Sequence, residues 1–241
     1  IFTSGGTESN NLAIQGVVWA LAELNFFQSL GSSLRSATPS KKSVPLPHIV
    51  TTNIEHPSVL KTCLLLEKRK LAQISVVPVE KNGIVDPKKI KKEIKTNTVL
   101  VSVMYANNEI GTIQPIKEIA KEIRHYKKIN KRNNIFLHTD AVQAVNYLDL
   151  NAERLGVDML SLSGSKIEGA GRVGVLYKKS STSILGIFGG GDQENSLRPG
   201  TENLPEIIKF SHALKSARNM REKETKRLTK LRDYFLISLL K

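Results

Sequence analysis

The amino-acid sequence predicts an α/β fold in which helices flank a seven-stranded, mostly parallel sheet. Two observations lead to this prediction: short apolar strand candidates alternate with helical stretches, and a polar cluster directly follows or closes five of the strands. Such alternation is typical of parallel sheets whose connecting helices cover both faces. Because ligands of these sheets bind beyond the carboxyl ends of the strands, the polar clusters are expected to meet at one edge.

The strand candidates are short runs, most of them strongly apolar. They are Ile1–Thr3, His48–Thr52, Ile74–Val79, Thr98–Ala106, Ile135–Asp140, Met159–Ser163 and Val173–Tyr177. Helices are expected between them at about 7–24, 57–70, from 87 onward and at 116–130. Proline stands in the first turn of two of these helices, at Pro57 and Pro87, and Asp86 is the expected N-cap of the second.

One segment interrupts the alternation. Residues 26–47 include the stretch GSSLRSATPSKKSVPLP, which is rich in serine, proline and lysine. This composition favours a flexible surface loop, and no chemical role is expected there.

The composition and the apolar pattern of the sequence limit the classes of protein to which the chain can belong. No apolar run reaches the roughly 18–20 residues of a membrane span, and the N-terminus lacks the pattern of a signal peptide. The chain has one cysteine, Cys63, so an internal disulfide is excluded and a cytoplasmic setting fits best. Cys63 lies beside an apolar run on a predicted helix, where a buried structural thiol is expected.

The net charge of +14 raises the question of nucleic-acid binding. The basic residues are mixed with acids in four helical stretches, EKRK, KKIKKEIK, RHYKKINKR and REKETKRLTKLR. No motif with interleaved aromatic residues accompanies them. We therefore expect solvated helix faces and no nucleic-acid partner. A polyanion-binding surface stays open as the alternative, and a salt-sensitive shift of RNA or DNA would reveal it.

The stretch SGGTESN places Gly5, Gly6 and Thr7 at the turn from a strand into a helix. A helix N-terminus offers free N–H groups and the positive end of a dipole, and glycine lets an anion approach closely. The stretch lacks the Gly-Lys-Ser/Thr of a P-loop and is not GxGxxG. Taken alone, it is compatible with a phosphate site and with an ordinary tight turn capped by threonine.

Lys166 follows a strand and a short polar turn. A desolvated lysine forms Schiff bases with carbonyl compounds, whereas a solvent-exposed lysine at a strand end needs no such role. Pyridoxal phosphate (PLP) would supply both a carbonyl and a phosphate, and its ring nitrogen requires an acidic partner. Asp140, at the end of IFLHTD, is the candidate for that acid.

An ordered set of stretches resembles the successive motifs of cysteine desulfurases, which are PLP enzymes of fold type I in the class-V aminotransferase group. The stretches are TSGGTESNNLAI, TNIEHPSVL, NNEIG, HTDAVQ, SLSGSK, GGG and RPGTEN. Their order and spacing match from Ile1 to about Met220. The resemblance implies the large domain of a PLP-dependent transferase at residues 1–218 and the start of a small C-terminal domain at 219–241.

The resemblance implies which residues surround the reactive part of the cofactor. Lys166 resembles the lysine that bonds to PLP and moves protons between Cα and C4′, and His56 resembles the histidine that stacks on the ring and assists proton transfer. Asp140 resembles the partner of the ring nitrogen, and Gln143 resembles the donor to the phenolic oxygen. Asn108 resembles a residue near the ring.

The resemblance also implies the phosphate ligands. Gly6 and Thr7 resemble the cup at the start of a helix, and Ser163 resembles a further ligand. Ser165 stands where many relatives have histidine, and its hydroxyl can still bind a phosphate. Thr201 resembles a ligand that reaches into the neighbouring subunit, which implies a homodimer with shared active sites. No metal ligand is implied.

The implied reaction converts L-cysteine to L-alanine and passes the sulfur, as an enzyme persulfide, to an acceptor protein for iron–sulfur cluster assembly or tRNA thiolation. The alternatives are selenocysteine lyase or another class-V lyase, and a PLP-binding piece without turnover. The last stays open because the resemblance places the attacking cysteine and the substrate-binding arginine beyond Lys241. The chain is accordingly expected to be part of a longer protein and inactive alone in sulfur transfer.

Overall fold

A computed structural model describes the backbone of residues 1–33, 45–132 and 134–240, and the side chains of all of these except 25–33. The strands are β1 Phe2–Thr3, β2 His48–Thr52, β3 Gln73–Val77, β4 Thr98–Ser102, β5 Phe136–Asp140, β6 Met159–Ser163 and β7 Gly174–Lys178. The helices are α1 Gly6–Ser33, α2 Pro57–Lys68, α3 Pro87–Glu93, α4 Ile116–Ile129, α5 Ala152–Leu155 and α6 Leu204–Leu239.

The strands form one seven-stranded sheet in the order β1-β7-β6-β5-β4-β2-β3. Only β7 runs against its neighbours, β1 and β6, and the other pairings are parallel. The prediction of a seven-stranded, mostly parallel α/β sheet is confirmed. Because every strand except β7 points the same way, the segments that follow β1, β2, β4, β5 and β6 leave the sheet at one edge.

Two hydrophobic clusters cover the two faces of the sheet. Neighbouring strand residues point to opposite faces, so Ile49 packs in the cluster with α1 and α2, whereas Val50 packs in the cluster with α3, α4, α5 and α6. Cys63 lies fully buried in the first cluster, as predicted, and burial is the main cause that raises the pKa of its thiol to about 12. Among the described residues, no helix is both long enough and apolar enough to cross a membrane.

Three helices differ from the predictions. The end of α1 was predicted at Leu24, but the helix continues to Ser33. Glycine and serine lower helix propensity without removing a backbone hydrogen bond, and the first proline of this stretch is Pro39. The predicted loop at 26–47 is therefore wrong up to residue 33, and its part at 34–44 lies outside the described residues.

The short helix α5 was not predicted, although both of its ends carry a sequence signal. Asn151 caps its start by accepting a hydrogen bond from the Arg154 N–H, and Gly156 ends it with φ +75°. The long helix α6 runs without a break through the boundary predicted between residues 218 and 219. The division into two domains stays a prediction.

Gly174 of β7 packs tightly against the turn that leads into α1. A Cβ at this position would overlap Thr3 Oγ1 and the backbone of Gly5. Gly174→Ala is therefore expected to lower the free energy of unfolding by about 1–3 kcal/mol, as overpacking of a tight site does. Urea unfolding measures the change. Gly189→Ala is the matched control, because a Cβ there would meet nothing within 4 Å; equal stability of both variants would contradict the prediction.

Candidate functional site

A cavity of about 380 Å³ opens at the edge of the sheet where the parallel strands end. Its walls come from the segments that follow β1, β2, β4, β5 and β6. The lining includes all of the predicted site residues except Thr201, namely Gly6, Thr7, His56, Asn108, Asp140, Gln143, Ser163, Ser165 and Lys166. The structure thus brings together side chains that lie far apart in the sequence.

The start of α1 forms one wall of the cavity. The first N–H groups of a helix have no partner within the helix, so they face the cavity as possible donors to an anion. A Cβ at Gly6 would lie 2.8 Å from Val142 Cγ2 and 3.3 Å from Ser163 Cβ, so glycine allows close contact between this helix start and the ends of β5 and β6. The hydroxyls of Ser163 and Ser165 lie 2.9 Å apart beside it.

Asp140 is buried at the end of β5. Its Oδ1 accepts a hydrogen bond from the Val142 N–H at 3.0 Å, and its Oδ2 accepts one from Asn10 Nδ2 at 2.7 Å. Burial raises the pKa of this carboxyl, while these two hydrogen bonds and the nearby His56 oppose the rise. A cationic N–H placed against this carboxyl would favour its charged form.

His56 stands immediately before α2 and caps it. Its Nδ1 accepts a hydrogen bond from the Ser58 N–H at 3.1 Å, which satisfies one free donor of the helix start. The Ser58 Oγ lies 2.8 Å from the same nitrogen. His56 is an exposed residue and lines the same cavity as the buried Asp140.

Lys166 ends a single 3-10 turn, Gly164–Lys166, that follows β6. Its carbonyl accepts a hydrogen bond from Asn146 Nδ2 at 2.6 Å, which holds the backbone, while its side chain lines the cavity. Lys166 is exposed, so the residues around it do not by themselves remove water from its amine. The loop that follows turns at Gly169 and Gly171, with φ of +77° and +68°, and brings Arg172 to the cavity.

Thr201 lies elsewhere. It is exposed and lines a separate concavity together with residues 188–191 and Arg198. An ion pair ties this region to the main cavity, because Arg198 Nε lies 2.9 Å from Glu8 Oε1 and Glu8 lines the cavity. The role of Thr201 in the site of a neighbouring subunit stays a prediction.

Two buried polar side chains of this site, Asn10 and Ser58, were not predicted from the sequence. Asn10 lies four residues after Gly6 on the same helix face, and Ser58 lies two residues after His56. These spacings from two predicted site residues were the signal in the sequence that could have pointed to Asn10 and Ser58. Their hydrogen-bond partners, however, lie in other segments of the chain, so the sequence pattern does not reveal them.

Glu55 is a second buried carboxyl near the cavity. Its Oε1 accepts hydrogen bonds from Thr52 Oγ1 at 2.6 Å and from the Met104 N–H at 2.9 Å. Its Oε2 is buried without a hydrogen-bond partner among the described residues. Burial raises the pKa of Glu55 to about 8, with the two hydrogen bonds opposing and Asp140 adding to the rise. The carboxyl of Glu55 therefore keeps its proton to a higher pH than an exposed glutamate does.

This raised pKa predicts how stability depends on pH. Between pH 4.5, the ordinary pKa of Glu, and about 8, the folded state holds a proton that the unfolded state has lost. The free energy of unfolding therefore loses about 1.4 kcal/mol per pH unit through this group as pH rises. Glu55→Gln removes the effect, so its stability relative to the original protein should increase across this window. Urea unfolding at a series of pH values tests this, and a constant difference would contradict it.

The cavity fits PLP by its own geometry. It offers a helix start for a phosphate, a lysine amine for an aldehyde and a buried carboxyl for a ring nitrogen. Its volume lies in the range of about 300–1,000 Å³ typical of small-ligand sites. In addition, Asn10 Oδ1 is buried beside Asp140 without a hydrogen-bond partner among the described residues, as expected at the bottom of a polar ligand site.

Comparisons with known proteins agree with this geometry. The chain is 44% identical over 236 residues to "Cysteine desulfurase IscS" of Dictyoglomus turgidum, which covers 98% of this chain and 52% of that relative. The chain thus spans about half the length of the curated relatives it matches. The resemblance to cysteine desulfurases found from the motifs is confirmed by the names of these relatives.

Solved structures have the same fold. A NifS-like protein superposes with a TM-score of 0.84 at 32% sequence identity, over 100% of this chain and 58% of that chain. A structure described as SspA in complex with cysteine superposes with a TM-score of 0.72 at 32% identity, over 89% of this chain and 54% of that chain. The aminotransferase class-V family profile matches residues 34–241, which is most of the sequence. This match shows that the chain belongs to the class-V aminotransferase family.

Proposed function

We propose that this chain carries the PLP site of a cysteine desulfurase, which converts L-cysteine to L-alanine and retains the sulfur as a persulfide. The single observation that supports the proposal most is the cavity, where one lysine, one buried carboxylate and one imidazole face a helix start. The relatives named cysteine desulfurase, and the similar protein described with cysteine, support the choice of substrate.

In this proposal the phosphate lies at the start of α1. The N–H groups around Gly6 and Thr7, the Thr7 hydroxyl and the hydroxyls of Ser163 and Ser165 would bind its oxygens. Arg172 adds a positive charge at the same cavity. Thr201 would bind the phosphate of a partner subunit, which makes a homodimer part of the proposal.

The other end of the cavity would perform the chemistry. When bound, PLP supplies an aldehyde that bonds to amines and a ring that withdraws electrons from them. Asp140 would hold the proton of the ring nitrogen, with its carboxylate oriented by Asn10 Nδ2 and the Val142 N–H. The Lys166 amine would take and return the proton of the substrate Cα, because it lines the same cavity as Asp140 at the end of β6.

His56, Gln143 and Asn108 would orient the reacting groups. The imidazole of His56 would cover one face of the ring, keep water from it and assist proton transfer to the leaving alanine. Gln143 would donate a hydrogen bond to the phenolic oxygen, and Asn108 would lie near the ring. A cysteine outside these residues would attack the substrate sulfur, because Cys63 is buried in the core and its thiol is held protonated by its raised pKa.

The setting of the enzyme belongs to the same proposal. A cytoplasmic location, a sulfur-acceptor protein and a role in iron–sulfur cluster assembly or tRNA thiolation are what the motifs imply. Residues 1–218 would be the PLP-binding large domain, and residues 219–241 would begin a small domain.

The proposal is tested by adding L-cysteine and a thiol reductant to the PLP-loaded full-length protein that contains this chain, and by measuring the visible absorbance, alanine and the sulfide that the reductant releases from the persulfide. A spectral change with equal amounts of alanine and sulfur supports a desulfurase. A spectral change without alanine supports the alternative of a PLP-binding piece without turnover. A preference for L-selenocysteine would favour a lyase, and no response to either amino acid would contradict the proposal.

A further inference from the structure

The amide of Asn10 joins two side chains of the cavity that have separate roles. Asn10 lies on α1, and only 1% of it is exposed. Its Nδ2 lies 2.7 Å from Asp140 Oδ2 and 2.8 Å from Ser58 Oγ, so both amide hydrogens are used. A reversed amide would place Oδ1 against the carboxylate, where two acceptors would face each other. The position of Asp140 therefore determines the orientation of Asn10.

The hydroxyl of Ser58 connects the amide of Asn10 to the imidazole of His56. Because Ser58 Oγ accepts a hydrogen from Asn10, its own single hydrogen is available to His56 Nδ1 at 2.8 Å. The Ser58 N–H donates to the same nitrogen at 3.1 Å. With two donors on Nδ1, the neutral imidazole carries its proton on Nε2.

We propose that Asn10 is a positioning residue, whose amide orients Asp140 directly and His56 through the Ser58 hydroxyl. The inference rests on the proposed function, because it deepens the roles given there to Asp140 and His56. The amide of Asn10 would then fix the orientation of the carboxylate that would face the ring nitrogen. Through Ser58, the same amide would also fix the hydrogen bonding of the imidazole that would cover the ring.

A purely mechanical link between α1 and α2 does not account for this arrangement. The two helices are already joined outside the cavity by the shared hydrophobic cluster and by the Thr62 hydroxyl, whose single hydrogen is shared between the Ser58 carbonyl at 2.8 Å and Asn11 Oδ1 at 3.0 Å. An aspartate at position 10 would have the same shape, but it would place a second carboxylate against Asp140 and donate no hydrogen. An amide is therefore required at this position.

The first measurement needs no cofactor. Long-range ¹H–¹⁵N spectra of the full chain report the protonation and hydrogen bonding of each imidazole nitrogen, and the His56 signals are those lost in His56→Gln. We expect the Nε2-protonated form with a hydrogen-bonded Nδ1. Asn10→Ala and Ser58→Ala should each move the Nδ1 resonance. Thr62→Val removes the contacts of the Thr62 hydroxyl with Asn11 and with the Ser58 carbonyl but keeps the Ser58 Oγ and N–H, so it should move this resonance less than either of them. An Nδ1 resonance that stays in place in both variants would overturn the proposal.

The second measurement is PLP affinity by absorbance titration. Asn10→Ala should weaken it about tenfold or more, since a hydrogen bond to a charged group is lost, and Ser58→Ala should weaken it less. Asn10→Asp should be the weakest binder, and Thr62→Val should bind as the original chain does. Equal affinity of Asn10→Ala and the original chain would overturn the role toward Asp140.

The two measurements separate the two proposals. If the original chain fails to bind PLP, the proposed function is contradicted, while the His56 resonance still decides whether the hydrogen-bond relay exists. If Asn10→Ala fails to fold by circular dichroism, Ser58→Ala decides the relay, because it leaves the contact of Asn10 with Asp140 in place.

Discussion

Lys166→Ala is expected to abolish the visible absorbance that PLP acquires when it bonds to the protein, and to abolish turnover of L-cysteine by the full-length protein that contains this chain. Lys166 follows β6 in a 3-10 turn and lines the cavity that the buried Asp140 also lines. Loss of its proton transfer alone should lower the rate by about 10²–10⁴-fold, and loss of the covalent link to PLP adds to this. Absorbance spectra after dialysis and an alanine assay measure the two effects.

Two control variants sharpen this prediction. Lys166→Arg keeps a positive charge at the cavity, but a guanidinium stays protonated and does not bond to an aldehyde, so this variant should fail as well. Lys92→Ala removes an exposed lysine of α3 and should behave as the original chain. If Lys166→Ala keeps the visible band and Lys92→Ala loses it, the assignment of the reactive lysine is wrong.

Asp140→Ala is expected to have the second largest effect. The carboxylate is buried and fixed by hydrogen bonds from Asn10 Nδ2 and the Val142 N–H, so it offers a pre-oriented negative charge to a ring nitrogen. Removing one member of a buried ion pair costs about 3–5 kcal/mol. PLP affinity and the turnover of the full-length protein, taken together, should therefore fall by about 10²–10⁴-fold, as measured by titration and by initial rates.

The variant Asp140→Asn tests whether the negative charge of Asp140 contributes separately from the size of its side chain. The amide oxygen of asparagine can still accept the hydrogen bond from Asn10, but the NH₂ group then faces the Val142 N–H, so this variant keeps the size of the side chain while it loses the charge and one hydrogen bond. We expect most of the loss in turnover of the full-length protein to persist in this variant, while the free energy of unfolding of the chain falls by about 1–3 kcal/mol because the Val142 N–H loses its acceptor. Turnover equal to that of the original chain would show that the charge of Asp140 is not used.

Much of the fold and of the site could be predicted because each depends on local pattern. The strand candidates are short apolar runs, and motifs such as TNIEH and SLSGSK follow them directly, so the parallel sheet places their polar residues at one edge. The end of α1 was misplaced for a physical reason: residues of low helix propensity weaken a helix without ending it.

The parts that could not be predicted depend on contacts between distant segments. Asn10 meets Ser58 and Asp140, which lie 48 and 130 residues away, and only the packing of α1 against the sheet edge brings them together. The unsatisfied Oε2 of Glu55 likewise results from burial beside β4, which the sequence pattern IEH does not indicate. The place of Thr201 depends on a second subunit and stays a prediction.

The measurement that tests the central claim most directly is a map of the lysine that binds PLP. The PLP-loaded chain is reduced with borohydride, digested and analysed by mass spectrometry. Our account predicts that the label lies on Lys166, with no comparable label on exposed lysines such as Lys92. An unlabelled Lys166, with label spread over surface lysines, would contradict the claim that this strand-edge cavity is a PLP site.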